Sequence, residues 1–84
     1  MARSGFEKGS EEAARIAPGM SAQTMREAFS AAVAKHDSGG FIGGGYYGAD
    51  YELGKAATYA EFFRLDPTEA IRAEQLRLAT KARG

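Results

Sequence analysis

The chain has 84 residues, with eleven basic and eleven acidic side chains, no cysteine and no tryptophan. A chain this short is one domain at most and buries only about 60 to 65% of the surface it exposes when unfolded, so its core is small. Zero net charge removes the global electrostatic footprint of a nucleic-acid binder or a polybasic membrane anchor, and the lack of cysteine excludes disulfides, thiolate nucleophiles and cysteine metal sites.

Alanine supplies 17 of the hydrophobic residues, with one Val, three Ile and four Leu as the only aliphatics. Alanine favours helix but buries little area, which predicts close helix packing with aromatic filling, or stability borrowed from a partner or a second copy.

Met1 to Gly9 is polar and glycine-containing and reads as a flexible tail, with Phe6 the residue suited to dock it; the single helical domain then spans residues 10–84. The opening residues contain no apolar h-region, and no run approaches the roughly 20 apolar residues of a membrane span, so a cytoplasmic protein is expected. Ser10 is placed to cap a short first helix over Glu11 to Ile16, stopped by Pro18 and Gly19. Ser21 then caps a second helix, between Met20 and Met25 at the N′ and N4 positions of a hydrophobic staple. Met25, Ala28, Phe29, Ala32, Val33 and His36 share one face of this helix, opposite Gln23, Glu27, Ser30 and Ala34. Asp37-Ser38-Gly39-Gly40 ends it.

Six of the eleven glycines fall between Gly39 and Gly48, which predicts a Gly/Tyr-rich central loop with room for a minimal hairpin of Phe41-Ile42 against Tyr46-Tyr47. A third helix is expected from an Asp50 cap to about Arg64, or from Thr58 if Gly54 interrupts it and Thr58 to Glu61 act as a capping box. Leu53, Ala56, Ala57, Ala60 and Phe63 form its inner face, widened by Tyr51, Tyr59 and Phe62. Asp66, Pro67 and Glu69 mark the start of a fourth helix, whose inward stripe is Ile71, Gln75, Leu78 and Ala82, with Leu76 on another side. No internal repeat is apparent. The expected fold class is all-α, a small domain of three to four helices with the second, third and fourth packed together.

The chemistry-bearing patterns are weak. Gly43, Gly45 and Gly48 match G-x-G-x-x-G, but the strand before them could only be Phe41-Ile42, and Asp66, at the right distance for the ribose, is a helix cap with no β-rich segment before it, so no dinucleotide cofactor is expected. Gly48 to Lys55 fails the P-loop spacing by one residue and has Ala56 where Ser or Thr would bind magnesium. His36, Asp37 and Ser38 hold the residue types of a catalytic triad, but three consecutive side chains diverge. One His without Cys does not make a metal site. No cofactor, metal or catalysis is therefore expected.

The central segment resembles a binding surface in composition. Seven of the nine aromatics fall between Phe41 and Phe63, and over residues 37–63 Asp37, Asp50, Glu52 and Glu61 outweigh Lys55. Tyr46, Tyr47, Asp50, Tyr51 and Glu52 are the candidate contact residues, for another protein with a basic surface. The expected function is a small non-catalytic protein-binding module acting as an inhibitor or regulator of a larger complex, of the kind carried by mobile elements against host defence. The alternative is a DNA- or RNA-binding regulator using Arg72, Arg77, Lys81 and Arg83 on the last helix. Homo-oligomerisation fits either reading, given the thin aliphatic core and Leu76.

Overall fold

The structure is a computed structural model that describes residues 5–38 and 48–83, the side chain of Arg83 excepted. Among these residues it is all-α, with α1 (Gly5–Ile16), a 3₁₀ turn (Ala17–Gly19), α2 (Ala22–Asp37), α3 (Gly48–Phe62), α4 (Pro67–Arg83) and no strand. None of these helices is long and apolar enough to cross a membrane. The glycine-rich segment 39–47 and its Phe41-Ile42 and Tyr46-Tyr47 hairpin lie outside the described residues.

Two helix starts follow their sequence signals. Ser21 Oγ accepts the Thr24 N–H at 3.1 Å, and Met20 and Met25 join one apolar cluster as the staple requires. Asp66 Oδ2 accepts the Glu69 N–H at 3.0 Å, with Pro67 opening α4. The turn between α3 and α4 is short because α3 ends in a Schellman motif. Leu65 N–H bonds back to the Ala60 carbonyl and Arg64 N–H to that of Glu61, which holds Arg64 at φ 61°.

The other two helices begin earlier than their caps suggest. α1 starts at Gly5, so residues 5–9 of the expected tail are helical and Gly9 is buried. α3 runs unbroken through Gly54 from Gly48, so Asp50 lies in its first turn and neither Asp50 nor Thr58 begins the helix. Both corrections have one cause, a backbone-to-backbone seam between α1 and α3. A Cβ at Gly9 would overlap the Tyr51 carbonyl oxygen and stand 2.8 Å from its carbon; a Cβ at Gly54 would do the same to the Phe6 carbonyl, 2.9 Å from its carbon. Each glycine thus turns a Cα–H toward the carbonyl three residues before the other, the arrangement of reciprocal Cα–H···O contacts. Glycine is unfavourable in an isolated helix, but here it removes the only atom that would keep the two backbones apart.

Farther along the seam, Ser10 and Thr58 share a 2.7 Å hydroxyl hydrogen bond, and Ala13 and Ala17 close on Tyr59. Phe6 meets Gly54 and Ser10 meets Thr58, so the two helices run parallel. Their contact residues also repeat. Phe6-Glu7-Lys8-Gly9 and Tyr51-Glu52-Leu53-Gly54 are two copies of aromatic-Glu-x-Gly, each followed four residues later by a small side chain, Ala13 or Thr58. The reciprocal glycine contacts make the seam locally pseudo-two-fold, on two short segments of matching pattern.

α3 is the hub of the fold. α2 lies antiparallel to it, with Met25 near Tyr59 at one end and Ala32 and Val33 against Ala56 and Ala57 at the other. Ile71 of α4 completes the second cluster, with Phe29, Leu53 and Leu78 partly buried around it. Most of the predicted faces of α2 and α3 are the packed ones, with three corrections: Ser30 and Ala34, expected opposite the core, are half-buried, Ser30 against α4, and Phe62, expected to widen the inner face of α3, is exposed. Ile71 is the one buried residue among the described side chains of α4. Gln75 and Leu78 of its stripe are half-buried and Ala82 is exposed, so α4 is held along one narrow line.

Candidate functional site

Of the five residues expected to contact a partner, Tyr46 and Tyr47 lie outside the described residues. The other three occupy successive positions on α3 and so point about 100° apart. Asp50 is exposed, Tyr51 is half-buried beneath Lys55, whose Nζ stands 5.4 Å from the ring centroid, and Glu52 is buried. Glu52 Oε1 is 3.9 Å from Lys55 Nζ and has no hydrogen-bond partner. The negative charge counted for this segment is thus partly turned inward, and Asp50 is its exposed acid at the start of α3.

Of the four basic residues of the alternative reading, the three with described side chains do not all share one face. Arg72 and Lys81 are exposed and far apart around the helix, and the Arg83 side chain lies outside the described residues. Arg77 is engaged: its Nη2 and Nε donate to Glu74 Oε2 and Oε1 at 2.5 and 3.0 Å, and Nη2 reaches Ser30 Oγ at 3.2 Å. Of the His-Asp-Ser run, expected to diverge, His36 and Asp37 are in contact and Ser38 turns away. His36 Nδ1 is 3.2 Å from Asp37 Oδ1, which also accepts from Gln75 Nε2 at 2.8 Å, while Ser38 Oγ donates back to the Lys35 carbonyl at 2.9 Å. Among the described residues no three His, Cys, Asp or Glu side chains are grouped to hold a metal ion.

The feature that the sequence reading missed is a groove of about 460 Å³ between α2, the α3–α4 turn and α4. Its apolar part is Phe29, Phe63 and Leu65 with Ala70 and Ala73. The space exists because α4 presents two alanines one turn apart where larger side chains would meet Phe29. Leu65, held out by the left-handed turn at Arg64, is 53% exposed. The polar edge is Arg26, Ser30, Glu74 and Arg77. Three of these close on one another, since Ser30 Oγ donates to Glu74 Oε2 at 2.6 Å and Arg77 holds both carboxylate oxygens.

The Arg77 hydrogen bonds hold the Glu74 carboxyl below the usual glutamate range; burial opposes them, and Ser30 and the positive fields of Arg77 and Arg26 assist. Glu74 is therefore a fixed anion at neutral pH, clamped between two helices. The available signal was the narrowness of the α4 stripe. Ile71, Gln75 and Leu78 leave Ala70, Ala73, Glu74 and Arg77 on the flank that meets α2, and the i,i+3 pair Glu74–Arg77 was legible as a local ion pair.

A second hollow of about 300 Å³ is lined by Lys8, Glu11, Glu12, Arg15 and Tyr51. Both charges are represented in it, with Arg15 and Glu12 paired at 2.7 Å, and it presents no apolar floor. In comparisons with known proteins, no family model matches the chain, and no similar curated protein or solved structure was found.

Proposed function

We propose that the chain is a small non-catalytic protein-binding module that inhibits or regulates a larger protein through the groove between α2 and α4. The groove itself carries this reading. Its apolar floor is open to solvent at Leu65, its edge is prearranged by the Ser30–Glu74–Arg77 clasp, and its size suits one or two large side chains of a partner. The inward placement of Glu52 moves the emphasis away from the start of α3, where Asp50 is the exposed one of the three described partner-contact candidates. The nucleic-acid reading finds less support, because Arg77 is already paired and Arg72 and Lys81 lie on opposite sides of α4.

The test is quantitative capture of a partner from cells by the full chain and by three variants, with nuclease present and helicity checked for each. Ala73→Trp fills the groove from an exposed position and is expected to abolish capture, whereas Tyr47→Ala and Asp50→Lys retain it. Loss with Tyr47→Ala but not with Ala73→Trp would return the site to the glycine-tyrosine segment. Recovery of nucleic acid in place of protein would overturn the reading altogether.

A further inference from the structure

Resting on that reading, we propose that the occupant of the groove is an acidic amphipathic helical segment, which lays an apolar side chain on the floor and a carboxylate on Arg26. The charges at the edge lead there. Glu74 and Arg77 neutralise each other through two hydrogen bonds, and Ser30 completes the clasp. Arg26 is exposed; it acts on Glu74 through space, and among the described residues it forms no ion pair. The edge therefore presents one uncompensated guanidinium beside an apolar floor.

Covering that floor strips water from Arg26. An unpaired buried cation is costly, so a neutral occupant is penalised and a basic one is repelled, while a carboxylate restores the lost hydration as a charge-assisted, two-pronged contact. The shape selects a helix over a small carboxylate. Ala70, Ala73 and Arg77 follow one flank of α4 at helical spacing and Arg26, Phe29 and Ser30 follow α2, so the trough extends along two helices. Leu65 also remains too open for the enclosure usual around a small ligand. An occupant with apolar residues three or four apart and an acid on the adjacent flank matches this pattern.

The experiment is selection of a displayed library of 16-residue peptides on the full-length chain. Enriched peptides are expected to pair apolar i,i+3 or i,i+4 residues with an Asp or Glu, and to lose binding to Ala73→Trp. The strongest one is then measured by fluorescence anisotropy in a double-mutant cycle. Changing its acid to the amide, or Arg26→Ala in the protein, should each weaken binding about tenfold or more, and the two changes together should cost little more than either alone. Selection on Arg26→Glu should shift enrichment to Lys and Arg.

Enriched peptides without an acid, or strictly additive effects in the cycle, would overturn the acidic assignment while leaving the groove as the binding site. Failure to enrich any peptide that depends on the groove would overturn both this inference and the protein-binding role of the groove. Dodecanoate binding that is blocked by Ala73→Trp, with no peptide selected, would do the same in favour of a small amphiphile.

Discussion

Replacing Gly9 by alanine adds one methyl group where α1 lies against the backbone of α3. That methyl would lie 2.8 Å from the carbonyl carbon of Tyr51 and 3.1 Å from the backbone nitrogen of Lys55, and it would overlap the Tyr51 oxygen. None of these atoms belongs to a side chain that can rotate away. The carbonyl is fixed by the hydrogen-bond ladder of α3, so α1 must retreat; clearing the carbon alone takes 0.6 Å, the difference between 2.8 Å and the 3.4 Å at which ordinary contact begins, and clearing the nearer Tyr51 oxygen takes more. The retreat also stretches the Ser10–Thr58 bond and loosens Ala13 and Ala17 against Tyr59.

Overpacking against backbone lies at the upper end of the usual range, about 3 kcal/mol, while alanine regains about 1 kcal/mol of helix propensity. A net loss of about 2 kcal/mol corresponds to a melting temperature lower by about 8 to 16 °C in a domain of this size. Thermal denaturation followed by circular dichroism measures it. Gly19→Ala is the control, because no atom lies within 4 Å of its added methyl; the expected change is nil or a slight gain, about 0.4 to 1 kcal/mol. Gly54→Ala should resemble Gly9→Ala, and the double variant should lose less than the sum, because one separation of the helices relieves both clashes. A Gly9→Ala variant as stable as the wild type would refute the close-approach account of the seam.

Other features of the structure are open to similar tests. Arg64→Gly removes the strain of a left-handed arginine, and after the greater chain entropy of glycine is allowed for it should stabilise by about 0.5 to 1 kcal/mol in chemical denaturation; a loss of stability would mean that the arginine side chain contributes contacts that outweigh the strain. The lowered Glu74 carboxyl contributes stability that is complete above the ordinary glutamate value of 4.5 and is lost as pH falls through its lower folded value, so acid unfolding should be shallower in Glu74→Gln. Tyr59 is shifted the other way, raised from 10.0 by burial first and then by the negative charge of Tyr51, Glu12 and Glu52. Its contribution is present below pH 10.0 and declines as pH rises toward the folded value, so ultraviolet titration should show one tyrosine ionising late and stability falling as it does. A single uniform tyrosine titration would contradict that burial.

Much of the fold was legible because its signals are local. Ser21 and Asp66 bond the amides that their positions predict, and the α2 face from Met25 to Val33 follows directly from a 3.6-residue period. The α1–α3 seam was not legible by those rules, since propensity counts glycine as a helix breaker and periodicity tracks large apolar side chains. Gly9 and Gly54 act through the absence of a side chain, and only the repeated aromatic-Glu-x-Gly segment marks them as partners. The candidate site divides in the same way. Counting charge along 37–63 gave an acidic patch, but helical rotation sends Asp50 outward and Glu52 inward. The groove depends on how α4 lies across α2, a contact between Ser30 and residues more than forty positions away that no local pattern encodes.

The seam between Gly9 and Gly54 also sets an order of assembly. α1 has twelve residues, two of them glycine, and an isolated helix of that length is marginal in water even when rich in alanine. It acquires its shape from α3, across a closed loop of more than forty residues, so the cost of loop closure is met before the seam returns any contact energy. α2, α3 and α4 are joined by shorter paths and share their own cluster around Val33 and Ile71, which lets them associate first. α1 is then the last helix to dock, but once docked it is held along its length, whereas α4 rests on one narrow line with Ile71 as its one buried residue among the described side chains. The amides of α4 should therefore exchange hydrogen faster than those of α1 and α3, and a protease should find residues 67–82 before the rest of the domain opens.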